Sequence, residues 1–303
     1  MEISTPSVLL IAFNRPDSTS RVFEAIRRAR PARLFIACDG PRLERPGEAD
    51  KVAEVRAFAS QVDWPCDVQR RFLDHNLGCG HCPATAIDWF LKEAGEGVIL
   101  EDDCVPEPAF FRFAQVMLER HRKDPRVGII SGTKIALEVD FGASHGFSRV
   151  PACWGWATWQ RAWDGYQLHP EPVSPDEAWT RTLHPKTVRN LARAVAEQQG
   201  SKVHAWDYQF MLHLLRKGML TVVPNVNLVL NIGFDGSGTH FTGDKRPWWV
   251  PPRSFDIDDE WTESPDVLPS AEFDRNFQAV AHQGSSKFLR QWIKLKRALL
   301  RLE

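Results

Sequence analysis

The chain has 303 residues, enough for one large domain or one domain with appendages. Hydrophobic residues make up 43% of it, so a sizeable core can be buried and general disorder is excluded. The formal net charge of -1 supplies no field for collecting nucleic acid, and no apolar run approaches the roughly 18 residues of a membrane span.

Val8–Phe13 is a short apolar run that Asn14-Arg15-Pro16 brings to a stop. It follows an acidic start without basic residues, which predicts a strand rather than a secretion signal. Reduced thiols in a cytosol are then expected for Cys38, Cys66, Cys79, Cys82, Cys104 and Cys153. Cys79 and Cys82 form a CxxC beside His81, but the second ligand pair that a zinc site wants is not obvious. Asp17–Ala29 has helical spacing through Val22, Phe23 and Ile26. Arg33–Cys38 is a second strand, ended by the turn chemistry of Asp39-Gly40-Pro41. A helix over Ala49–Gln61, a strand over Asp67–Phe72, a helix over Cys82–Ala94 and a strand over Val98–Leu100 follow. Ala109–Arg122 reads as a helix and Val127–Ser131 as a fifth strand. Strands separated by helices of this length predict an α/β fold with a mostly parallel sheet and right-handed crossovers.

The second half is less regular. Glu177–Gln198 reads as helical with a break at Pro185, and Trp206–Lys217 as a helix opened by Asp207. Met219–Val223 is a short strand, and Lys245–Ser270 is an extended arm rich in Pro, Asp and Trp.

In a parallel sheet the ligand lies beyond the carboxyl ends of the strands. Those ends carry Asn14-Arg15, Asp39-Gly40, His75-Asn76 and Glu101-Asp102-Asp103. Three adjacent acids repel one another unless a cation joins them. A hard divalent ion shared with a diphosphate would be such a cation, since it takes oxygen ligands from both protein and phosphate. A solvated acidic turn before a helix is the plainer reading of the same triplet. The sequence has neither a GxxxxGK[ST] loop nor a GxGxxG after its first strand, which suits phosphate held by a metal. Twelve tryptophans include the clusters Trp154/Trp156/Trp159 and Trp248/Trp249. Trp154, Gly155 and Trp156 read equally as a floor under a sugar ring or as a buried aromatic strand. Lys134 reads as solvated or as facing phosphate, and Asp207 on its own reads as a helix cap.

The segments VLLIAFNRP, RLFIACDGPR, HNLGCG and VILEDDCVPEPAFFRF together resemble the nucleotide-sugar half of GT-A fold glycosyltransferases. The branch they most resemble contains N-acetylglucosaminyltransferase I and family-two-like bacterial enzymes. The resemblance is strongest over residues 7–135 and continues more thinly through WGWATW, AWDYQF and GTHF. It implies a Rossmann-like sheet flanked by helices, with an irregular acceptor-side C-terminal half. Residues 1–135 would form the nucleotide-sugar-binding half, 136–245 the acceptor-binding and catalytic half, and 246–303 an arm with a basic amphipathic helix. On the donor side the resemblance implies Arg15 at the nucleotide or diphosphate, Asp39 at the base and Asp102 near ribose or donor sugar, while Asn76 and Glu101, at the same strand ends, are expected to bind nucleotide or donor. Asp103, last acid of a DXD-like motif, would ligate Mn²⁺ or Mg²⁺, with His240 as a second ligand. Asp207 would be the catalytic base of an inverting displacement.

The implied activity is sugar transfer from a nucleoside diphosphate, with UDP as the expected carrier, to a glycan or lipid-linked acceptor in bacterial surface polysaccharide synthesis. A cytoplasmic protein is expected. Phe288, Trp292, Leu295, Leu299 and Leu302 recur at helical spacing opposite Arg290, Lys294, Arg297 and Arg301. Such a helix over 287–303 either docks on its own domain or rests peripherally on the inner face of an anionic membrane. The rival functions are a sugar nucleotidyltransferase, a non-catalytic carbohydrate- or nucleotide-binding protein on the same fold, and a metal-dependent phosphohydrolase. The first typically needs a glycine-rich basic loop, which Phe13-Asn14-Arg15-Pro16 is not.

Overall fold

The computed structural model describes residues 5–198, 205–234, 246–257, 261, 266–281, 286–300 and 302. Its first half is built on three apolar strands. β1 (Val8–Ala12) and β2 (Arg33–Cys38) are buried almost throughout, and β4 (Glu96–Glu101) is buried between its ends. Continuous apolar runs of this kind belong to strands covered on both faces. Alternate residues serve opposite faces. Val8, Leu10, Leu34, Ile36, Val98 and Leu100 pack with α1 (Pro16–Ala29) and α4 (Pro108–His121). Leu9, Ile11, Phe35 and Ile99 pack instead with α3 (Gly78–Ala94) and α7 (Asp207–Arg216). β3 (Asp67–Phe72) is the partly exposed edge, and its Asp, Gln and Arg residues suit that position. Pro16 at the first helical position and Asp17 in the first turn start α1 where the β1 loop ends.

The large sheet has eight strands. It continues through β6 (Val127–Ser131), β7 (His145–Ser148), β8 (Trp156–Trp159) and β9 (Leu220–Pro224) in the order β3-β2-β1-β4-β8-β6-β9-β7. β8 and β7 run opposite to the other strands. The result is an α/β protein with a mostly parallel, helix-flanked sheet, in keeping with a GT-A-like fold. α2 (Glu48–Ala57) packs a small cluster at the β1 and β2 ends.

β8 separates β6 from β4, so Val127–Ser131 does not pair with Glu96–Glu101. Residues 156–159 insert antiparallel between β4 and β6. The adjoining Gly155 has φ +66, and an added Cβ would lie 2.7 Å from Val229, so both backbone and space select glycine there. A short antiparallel pair, β5 (Cys104–Pro106) with β10 (Val229–Asn231), fastens the second half to the acidic triplet.

The second half has its own apolar cluster. It is formed by α6 (Pro185–Glu197), α7, α8 (Ala271–Ala281) and α9 (Lys287–Leu299), through residues such as Leu191, Met211, Phe273 and Ile293. The short α5 (Gln160–Trp163) follows β8 directly. In α9 the buried residues are Ile293 and Arg297. Arg297, expected on the solvated side, instead meets Glu138 at 2.6 Å. Among the described residues, no helix is long and apolar enough to cross a membrane.

Candidate active site at the sheet switch point

From β1 the chain moves outward to β2 and β3, then returns by α3 to β4 on the other side of β1. β1 and β4 are parallel neighbours, so a crevice opens between their carboxyl ends. In open α/β sheets this reversal of strand order is where ligands bind. Arg15 follows β1, and Glu101-Asp102-Asp103 follows from the end of β4. The guanidinium pairs with Asp102 through Nη2 and reaches Asp103 through Nη1 at 3.2 Å.

The acids are not equivalent. Asp102 is buried and also accepts the Phe13 N–H at 3.2 Å, so it ties the two strand ends together. Asp103 is less enclosed, and its other oxygen lies 3.3 Å from the Cys104 thiol. The half-buried Glu101 has its pKa raised, first by burial and then by the charges of Asp103, Asp207 and Asp102. Burial also raises Asp102, against the pull of Arg15. For Arg15 itself burial opposes the charge, but Asp102, Asp103 and Glu101 outweigh it and the pKa rises.

Asp207 belongs to the same cluster because its charge reaches Glu101, Cys79 and Cys153. The N-cap of α7 is Trp206, without a side-chain cap bond, and Asp207 is the exposed first helical residue. One Asp207 oxygen accepts the Tyr208 N–H at 3.0 Å. Asp207 thus serves a free N–H of the first turn while its charge also reaches Glu101.

Asp39 and Asn76 lie at the end of β2. The Asp39 carboxylate accepts from Gly40 N and Leu77 N at 2.8 Å, Gly78 N at 2.9 Å and Asn76 Nδ2 at 3.0 Å. A carboxylate has about four lone-pair sites, so the chain itself fills them. Burial pushes the Asp39 pKa up, and the backbone donors pull against it. Asp39 shapes the loop before α3, and Asn76 ties that loop to Gly40 O at 3.0 Å.

The aromatic segment divides. Trp156 is fully enclosed, with Trp206 at 5.5 Å and Phe210 at 5.2 Å. It cannot meet a sugar, which corrects the reading of Trp156 as part of a floor. Gly155 is likewise buried against Val229. Trp154 alone of the three side chains is half-buried, with Trp249 at 5.9 Å and Phe234 at 5.3 Å. Lys134 is neither solvated nor aimed at a ligand. It is buried, and its ammonium donates to Asn225 O at 2.7 Å and Asn225 Oδ1 at 2.9 Å. Burial lowers its pKa to about 8.

Two residues outside the expected set close in on the acids. The Ile232 N–H donates to Asp103 O at 2.8 Å, and a Cβ on Gly233 would stand 2.3 Å from Asp103 Oδ2. Glycine there lets the second half approach the triplet. The signal was the Gly-rich stretch beginning at 233, whose partner was not readable locally. His240 and the GTHF segment lie outside the described residues.

Among the described residues, no group of three His, Cys, Asp or Glu side chains is arranged to hold a metal. The chemistry of the cluster still fits a shared ion. Asp102, Asp103 and Glu101 stand about one arginine, with Asp207 near Glu101, and magnesium-type sites commonly use one or two carboxylates with phosphate oxygens and water completing the shell. All six cysteines are free, and burial raises the Cys79 and Cys82 thiols, away from reactive thiolate.

No protein family and no curated protein matches the sequence. Among solved structures, the chain is similar to the apo form of mouse xyloside xylosyltransferase 1, with a TM-score of 0.35 and 11% identity. That alignment covers 71% of this chain and 83% of the other. So remote a likeness assigns no activity to this chain.

Proposed function

We propose that the chain is a metal-dependent glycosyltransferase that moves a sugar from a nucleoside diphosphate to an acceptor hydroxyl. The observation that carries this reading is the surplus of carboxylates around Arg15, at the crevice between the β1 and β4 ends. A cation bound there would relieve the repulsion and bring a place for phosphate oxygens.

Asp103 would hold Mn²⁺ or Mg²⁺, with His240 as a further candidate. Such an ion, when bound, offsets negative charge on a leaving diphosphate. Asp102 keeps Arg15 in place, and Arg15 presents its remaining donor capacity toward the diphosphate. Asn76 holds the loop that would border the nucleotide. Trp154, half-buried and stacked on Trp249, would lend its remaining apolar surface to a sugar. Asp207 accepts the acceptor hydroxyl's proton as the new bond forms. One displacement opposite the leaving group inverts the anomeric centre. UDP is the proposed carrier, and a surface glycan or its lipid-linked precursor the proposed acceptor.

Calorimetry with UDP, with and without Mn²⁺, tests the centre of this reading. Native protein should bind UDP at least about tenfold more tightly with the ion, and Asp103→Ala should erase that difference. Product analysis with several sugar nucleotides then separates transfer from hydrolysis. Equal UDP affinity with and without metal, or release of free sugar with no acceptor product, would sink the proposal.

A further inference from the structure

The C-terminal helix turns the wrong face outward for a helix that only docks. Ile293 and Arg297 are buried, yet Phe288, Trp292, Leu295 and Leu299 are 81%, 41%, 59% and 75% exposed. At 3.6 residues per turn these four fall within an arc of about 60°. They form a continuous apolar ridge on the side away from the core.

The flanks of the ridge are basic. Lys287 and Lys294 lie along one side, and Lys296 along the other with its ammonium 5.2 Å from the Trp292 ring. Residues 286–300 contain five Lys or Arg and no Asp or Glu. Lys287, Arg290 and Lys294, with Trp248 and Leu295, also line an open groove of about 720 Å³ beside the ridge.

We infer that this face is a docking surface for an anionic lipid bilayer. The ridge would enter the boundary between headgroups and acyl chains, with the helix lying parallel to the surface. Trp292 suits that depth, since its ring is apolar and its N–H polar. The flanking lysines can extend to the headgroup level, and the groove offers phosphate groups a cationic lining. A second copy fits less well. Twofold pairing of this face would bring two sets of basic side chains together with no acid on the helix face between them.

The core does not use this ridge. α9 is held from the opposite side, where Arg297 meets Glu138 and Ile293 joins the cluster of α6, α7 and α8. Loss of the exposed side chains therefore leaves the fold's own contacts in place. The surface is independent of the sugar-transfer reading, and its test uses no donor or acceptor.

Full-length protein is centrifuged with vesicles of phosphatidylcholine alone, or of phosphatidylcholine with phosphatidylglycerol. Native protein should bind the mixed vesicles at least about tenfold more tightly than the neutral ones, and added salt should weaken that binding. The triple variant Phe288→Ser, Leu295→Ser, Leu299→Ser should lose at least about tenfold in affinity. Lys287→Gln with Lys294→Gln should cost about fivefold per charge. Circular dichroism and the melting temperature of both variants should match native protein. Three results would overturn the inference: no binding of native protein to mixed vesicles, binding that neither variant weakens, or a native dimer in light scattering that the serine variant disperses. The last would make the ridge an interface between copies.

Discussion

Two arginines in this molecule hold carboxylates away from bulk water, and they do so on different terms. Arg297 faces Glu138 one to one. Its Nε donates to Glu138 Oε2 at 2.6 Å, Asn276 donates to the other carboxylate oxygen at 3.0 Å, and the guanidinium also donates to Ile135 O and Trp249 O. The charges are matched there, one cation to one anion. Arg15 instead stands among Asp102 and Asp103, with Glu101 beside them and Asp207 close enough to act on Glu101. A matched buried pair describes structure, whereas a surplus of one sign at the switch point of a sheet is what the proposed cation site would require.

The largest effect should come from breaking the matched pair. Arg297→Ala leaves the Glu138 carboxylate buried without its cation, which costs about 3–5 kcal/mol. Urea unfolding measures it. The double replacement Glu138→Met, Arg297→Met should recover most of the loss, because two apolar side chains remove both charges together. A loss below about 1 kcal/mol for Arg297→Ala would erase the distinction between the two centres.

Acid should attack the same half by another route. His145 in β7 is buried beside Phe113 and Phe147. Burial, then the charges of Arg120 and His121, hold its pKa down at about 4, against an ordinary value near 6.5. The unfolded chain therefore takes up this proton at higher pH than the folded one. The stabilisation is complete above about pH 6.5 and drains away as pH falls toward about 4, by about 3 kcal/mol in all. Urea midpoints across that window should fall in native protein and flatten in His145→Gln. Equal slopes for the two would assign the acid sensitivity elsewhere.

The same two centres mark the limit of what the sequence makes legible. β2, β3 and β6 have the bounds that their apolar runs and turn residues predict, because those signals are local. The acidic triplet was readable for the same reason. Its pairing with Arg15 spans 87 residues, and local pattern says nothing of it. β8 shows the same limit, since a four-residue aromatic strand is placed by its pairing with β4 and β6. Local pattern does not mark β7, which is only four residues long, or α8, which lies beyond an arm rich in proline. Helical spacing foretold α9 but not its docked face. That face is chosen by Glu138, 159 residues away, which draws Arg297 inward and leaves the apolar ridge outside. The four backbone and side-chain donors that fold around Asp39 are equally invisible to local pattern.

The smallest predicted effect separates the acids within the triplet. Asp102 is the matched member, since it serves Arg15 and the Phe13 N–H. Asp102→Asn should destabilise the metal-free protein by about 2 kcal/mol, the scale of a hydrogen bond to a charged group. At Glu101 burial, and then the neighbouring acids, work against the ionised carboxyl. Glu101→Gln keeps its shape and removes that charge, so it should stabilise the metal-free protein by about 1 kcal/mol, as relief at a functional site commonly does. Thermal unfolding in chelator at neutral pH reads both signs. The pair of signs matters more than either magnitude, because a site kept for a cation must be under strain without one. If Glu101→Gln destabilised the protein as Asp102→Asn does, the triplet would be as well matched as Glu138 and Arg297, and no ion would be needed to explain it.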